Sequence, residues 1–211
     1  QTMVQMTPES MQRIFEAKVM SFLNTHPDSP EINQVKVRAG AFVSATIAVH
    51  NACLEKLMPT PRKSHYAFSV REVMRVTQGL TLPDPEKLND LQVVRLWAHE
   101  CRRVYGDRLL DVAELTWLQN TISAASEKHF KTRLQAAYHV LVPNIREEEA
   151  LEQVVWSGCT RPPKKASMYS QMTGVSDDQA RIDAGLQRTT LYEESLTDTL
   201  AMEALQHGLA E

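Results

Sequence analysis

Glycine is scarce, at 7 of 211 residues. Few left-handed turns are therefore available, and the Leu-, Ala-, Glu- and Arg-rich remainder favours helices. The three cysteines, Cys53, Cys101 and Cys159, are far apart and form no CxxC pair. That spacing excludes a disulfide framework and predicts three reduced thiols in a cytosolic protein. No G-x-x-x-x-G-K-[ST] or G-x-G-x-x-G occurs, so the chain holds no phosphate-cradling loop of its own. His65, His99, His129 and His139 show no HxxxH spacing, and no metal ligand is expected. Ser64 and His65 are only sequence neighbours, which does not make a nucleophile and its base. No apolar run approaches the roughly 20 residues that span a bilayer, and the N-terminus has no signal-peptide core. The net charge of −3 gives no reason to expect nucleic acid or a membrane as partner. A first residue of Gln rather than Met points to a piece of a longer chain.

What is present is a hydrophobic content of 43%, enough for a core, arranged at helical spacing. Thr7 and Pro8 start a first helix, with Met11, Ile14, Phe15, Val19, Phe22 and Leu23 along it. A second helix, about 31–57, carries a stripe from Val35 to Leu57. Val43, Ile47 and Leu54 widen the stripe, which predicts burial between other elements. Pro59 and Pro61 end it. Ser69 and Glu72 fit a capping box for a third helix ending near Gly79.

Asp84 and Pro85 read as the start of a fourth helix, through "LNDLQVVRLWAHECRRVYG". Gln92, Arg95, His99 and Arg102 form its polar side, and Glu100, Arg103 and Asp107 are spaced for ion pairs. Residues 111–141 read as one further helix, capped by Asp111 with Glu114 behind it. "IREEEALEQVVW" reads as a short helix, 157–174 as an irregular loop with solvated Arg161, Lys164 and Lys165, and the end as two short helical patterns. No convincing strand is found.

One residue does not fit its place. Arg71 stands in the first turn of the third helix, where a positive charge opposes the helix dipole. Either it pairs with a neighbouring acid such as Glu72 or Asp107, or it meets an anion from elsewhere. Free helix N–H groups and a guanidinium together would hold such an anion well.

The surrounding motifs resemble a known family. Pro59, Thr60, Pro61, Lys63, His65 and Tyr66 match a P-T-P-x-K-x-H-Y loop. Phe68, Arg71, Arg75, Val76, Gln78 and Gly79 match the helix that follows it. Leu96, Trp97, His99, Glu100, Arg103, Val104, Asp107 and Arg108 match an L-W-x-H-E-x-x-R-V-x-x-D-R helix. Together they resemble the small helical lid of the third AAA+ module of dynein heavy chains. "HECRRV" and "TQGL" favour an axonemal chain. The specific motifs cover about 57–109; "LTWLQNTI" at 115–122, which resembles a D-x-T-W-F segment of axonemal outer-arm chains, and "LYEESLTDTLAMEALQHGLAE" at 191–211 are thinner matches. The chain departs at Ser69-Val70-Arg71-Glu72, where the family commonly has Asn-Leu-Arg-Asp.

The resemblance implies an all-α, AAA+ lid-type helical bundle with an irregular C-terminal linker. Residues 1–28 would end the large subdomain, 29–156 form the lid, and 157–211 lead to the next module. Arg71 would be a sensor II arginine reaching across to the γ-phosphate of bound nucleotide, with ATP/ADP shared with an upstream large subdomain. Arg75, Pro61 and His65 would stand beside it, with His65 and Tyr66 lining the adenine side or anchoring the loop. Partners would be adjacent AAA+ modules and, through the complete motor, a microtubule; the place would be the ciliary or flagellar axoneme. Without the resemblance, a non-enzymatic helical scaffold that binds proteins remains the alternative reading.

Overall fold

The computed structural model describes residues 6–26, 30–83, 85, 88–141, 151, 154–157 and 193–196. Of the expected loop at 157–174 only Ser157 is among them, and nearly all of the two C-terminal helical patterns lie outside them. Among the described residues six α-helices dominate: α1 Pro8–Leu23, α2 Pro30–Lys56, α3 Val70–Leu80, α4 Asp90–Cys101, α5 Val112–Phe130 and α6 Leu134–His139. A π-helical stretch, Arg102–Gly106, continues α4. Two short strands, β1 Val154–Ser157 and β2 Glu193–Leu196, pair antiparallel.

The helical bundle agrees with the expected lid architecture. The β1–β2 ribbon corrects the expectation of no strand. "VVWS" continues what reads as a helical segment, and Ser195 and Leu196 open a C-terminal helical pattern. Four residues are too few for period 2 to show against period 3.6.

α2 is the central post. It packs against α1, α5, α4 and α3, and Ile32, Ala39, Phe42, Val43, Ala45, Val49 and Cys53 are all but inaccessible. The wide stripe therefore meant burial on several sides. The window Ile32–Lys56 is long and apolar enough to cross a bilayer by length and composition, contrary to the sequence expectation, but half of it is buried within the bundle. It is the core helix here. α1 is capped by the Thr7 side chain and buries Met11, Phe15, Val19 and Leu23. Gln12 then ties it to α2, donating to Gly40 O at 2.9 Å and accepting from Ser44 Oγ at 3.1 Å.

Three boundaries differ from expectation. The cap of α4 is Asn89, in a reciprocal box with Gln92, rather than Asp84. Residues 111–141 form two helices, broken at Lys131, whose φ of 57° is left-handed. Asp111 holds the N-cap position of α5 without a side-chain cap bond, because its carboxylate accepts from Lys63 instead. Gly79 lies inside α3 rather than after it. A methyl there would overlap the buried Glu100 carboxylate of α4 and stand 2.6 Å from its Cγ.

The core holds several ionisable groups. Burial drives the Cys53 thiol up to about 12 and Cys101 well above its usual range, so both are inert, protonated thiols. Burial holds His50, His99 and His129 below the usual 6.5. The unfolded chain therefore binds protons below pH 6.5 that the folded chain refuses. Glu72 is also buried, which pushes its carboxyl up, but hydrogen bonds from Ser69, its own amide and Arg108 outweigh this and hold it below 4.5. Stability is thus expected to fall in two stages on acidification, first below pH 6.5 and again below 4.5. Thermal unfolding followed by circular dichroism across pH 7 to 3 checks this, and Glu72→Gln should flatten only the second stage.

Candidate functional site

The loop 57–69 is fixed before α3 begins. Tyr66 is buried, donates to Glu114 Oε2 at 2.6 Å and accepts from the Leu110 amide at 3.1 Å. Lys63 Nζ bridges Asp111 at 2.5 Å and Glu114 at 2.6 Å, and these bonds raise its pKa above the usual lysine range. His65 is exposed, with its Nε2 3.0 Å from Arg108 O and its ring edge-on to Tyr66 at 4.8 Å. Tyr66 ties the loop to Glu114 at the start of α5, and His65 rests on Tyr66 and the Arg108 carbonyl. Pro61 is exposed on the turn closed by the Thr60–Lys63 bridge.

α3 starts as its sequence dictates. Ser69 takes the cap, its oxygen accepting from the Arg71 amide at 3.3 Å, while the Ser69 amide donates to Glu72 Oε2 at 2.6 Å. Glu72 also accepts from Arg108 Nη2 at 3.1 Å. Arg108 further donates to Ala67 O and lies 5.0 Å over the Phe68 ring. The acid beside Arg71 is therefore committed to Arg108 and to the cap. Arg71 is exposed, and among the described residues no ion pair joins its side chain to Glu72 or Asp107. The Arg71 amide is spent on the cap and the Glu72 amide on Ser69 O, so fewer helix N–H groups stand free beside the guanidinium.

Arg75, one turn on and also exposed, faces a different neighbourhood. It lines a cleft of about 250 Å³ with Arg103, Val104, Asp107 and Arg108. Here the arginines meet acids: Arg103 bonds the fully buried Glu100 at 2.5 Å, Arg108 holds Glu72, and Asp107 stands in the lining. The structure thus sets Arg75 beside the π-helical continuation of α4 and leaves Arg71 exposed in the first turn of α3. The expected polar side of α4 is only partly exposed. Arg95 is buried, with its partner far downstream, and His99 Nε2 is buried with no hydrogen-bond partner among the described residues. Neither was legible locally. Among the described residues, no three His, Cys, Asp or Glu side chains are placed to hold a metal.

The family model "Dynein heavy chain, ATPase lid domain" matches residues 3–115, just over half of the chain. The match spans the anchored loop, α3, α4 and the π-helical stretch. Dynein axonemal heavy chain 12 of Rattus norvegicus is 37% identical over 131 residues, covering 62% of this chain and 4% of that protein. Dynein axonemal heavy chain 6 of Homo sapiens is 32% identical over 137 residues, covering 64% and 3%. Dynein axonemal heavy chain 1 of Homo sapiens is 40% identical over 87 residues, covering 41% and 2%. The chain thus spans only a few per cent of the length of these relatives. With the helical bundle, the capped α3 and this match over just over half of its length, the chain belongs to the dynein heavy chain ATPase lid family.

Proposed function

We propose that this chain is the lid of the third AAA+ module in the motor ring of an axonemal dynein heavy chain. The large subdomain that holds ATP or ADP would precede it, and the lid would close over the nucleotide. Arg71 is the residue assigned to the phosphate. The observation that carries this is its environment: an arginine in the first turn of a tightly capped helix, exposed, with the adjacent Glu72 already held by Arg108 and Ser69. A guanidinium suits the task because its planar donors bond phosphate oxygens in pairs. Arg75 is the subsidiary candidate, and His65 and Pro61 shape the loop beneath. Bound nucleotide would supply the phosphate charge that draws the lid shut.

On this reading, residues 1–28 lead out of the large subdomain, 29–156 are the lid and 157–211 lead to the following module. Lid closure would be a rigid-body step passed to adjacent modules of the ring, serving microtubule-based movement in the ciliary or flagellar axoneme. The test uses the complete heavy chain, with Arg71→Ala and Arg75→Ala compared by titration with a fluorescent ATP analogue at this module. Loss of a charged hydrogen-bonding partner is worth about 1.5–3 kcal/mol, so Arg71→Ala should weaken binding by about tenfold or more and Arg75→Ala much less. Equal affinities for Arg71→Ala and the parent would remove the sensor assignment.

A further inference from the structure

The most deeply placed ion pair of the described residues joins parts of the chain that are far apart in sequence. Arg95, on α4 among buried Val93, Val94, Leu96 and Trp97, is itself buried. Its Nε and Nη2 donate to the two carboxylate oxygens of Glu194 on β2 at 2.5 and 2.8 Å. Its Nη1 donates to Ala137 O of α6 at 2.8 Å. Gln92, one turn earlier on α4 and part of its cap, also reaches Glu194 at 3.4 Å. One guanidinium thus ties three elements, α4, α6 and β2.

The ribbon places Glu194 for this. In the β1–β2 register Trp156 stands opposite Glu194, so the two side chains share one face. Val154 and Trp156 are buried in the core alongside Leu151. Apolar burial can hold the ribbon against the bundle, but it is non-directional and fixes no single registration. A bidentate arginine–carboxylate pair adds that registration. It also punishes separation, because pulling the ribbon away leaves a buried cation facing apolar neighbours.

We infer that Arg95 and Glu194 form a latch that locks the β1–β2 ribbon to α4 and α6, so that ribbon and helical body move as one unit. Other links extend the rigid contact. Glu100 of α4 fills the space left by Gly79 of α3, so the helix that carries Arg71 is seated directly on the helix that carries the latch. The latch itself does not depend on the nucleotide reading, because Arg71 takes no part in it.

Hydrogen exchange on this 211-residue chain tests the inference, reading Val154–Ser157 and Glu193–Leu196 against α2 and α5. Glu194→Ala should speed exchange in both strands by at least about tenfold while leaving α2 and α5 unchanged. Arg95→Lys keeps the charge but loses the paired geometry, and should speed the same amides by a smaller factor. Arg95→Met combined with Glu194→Ala should be no worse in the strands than Glu194→Ala alone, the signature of one shared interaction. Unchanged strand exchange in both Glu194→Ala and Arg95→Lys would overturn the latch and leave the ribbon held by apolar burial of residues such as Val154 and Trp156. Should Glu194→Ala lose its fold by circular dichroism, Arg95→Lys decides alone: selective strand exchange supports the latch, and unchanged exchange overturns it.

Discussion

Trp97→Ala is expected to lower the stability of the bundle by about 3–5 kcal/mol, the range for deleting a large core aromatic. Trp97 is fully buried on α4. Its ring meets Phe130 of α5 edge-on at 4.9 Å, and its Nε1 donates to Thr46 Oγ1 of α2 at 2.9 Å. Phe130 in turn lies 4.7 Å from Phe42 of α2. One side chain therefore joins three helices. Its removal leaves a cavity at their junction, and each helix is too firmly tied elsewhere to collapse into it. The Thr46 hydroxyl stays satisfied, since it donates to Phe42 O at 2.7 Å, so the loss is one of packing more than of an orphaned polar group. Trp97→Phe keeps most of the apolar area and drops one hydrogen bond, which should cost about 1 kcal/mol beyond the smaller volume. Urea unfolding of the three proteins gives the comparison.

Gly79→Ala is the second large effect, and its sign is the informative part. Within a helix, alanine in place of glycine normally stabilises by about 0.5–1 kcal/mol. Here the added methyl falls on the Glu100 side chain. Glu100 is fully buried and paired with Arg103, whose Nη2 is 2.5 Å away. The carboxylate cannot swing aside without giving up that pair, and the alternative is to separate α3 from α4. A net loss of about 1–3 kcal/mol is expected, as for overpacking elsewhere. In a Glu100→Ala background the same substitution should recover its ordinary helical benefit. A double-mutant cycle measured by denaturant unfolding checks this coupling.

How far the fold was legible depended on whether the deciding partner was near in sequence. Ser69 and Glu72 are three apart, and their capping box formed as read. The broad stripe on α2 announced burial on several sides, and α2 became the central helix. Gly79 read as a helix end, but its reason lies 21 residues on, in Glu100, and no local pattern shows that. Asp111 has the residue type and place of a cap, yet Lys63 claims its carboxylate from 48 residues away. Arg95 falls on a polar stripe by spacing and is buried because Glu194 meets it 99 residues later. Lys131 breaks the last long helix in a left-handed conformation usually left to glycine or asparagine, so its identity gave no warning. The candidate site follows the same rule. The odd charge of Arg71 in a capped first turn was visible locally. That Arg108 would take Glu72, removing the nearest competing acid, was not.

Discrimination between ATP and ADP tests most directly whether Arg71 faces the terminal phosphate of a nucleotide. In the complete heavy chain, the ratio of ATP to ADP affinity at this module should be well above one in the parent. It should fall towards one in Arg71→Ala, with ADP affinity little changed, because a γ-phosphate contact acts only on ATP. A ratio equal in parent and variant would contradict the account and leave Arg71 as a solvated charge at the end of a helix.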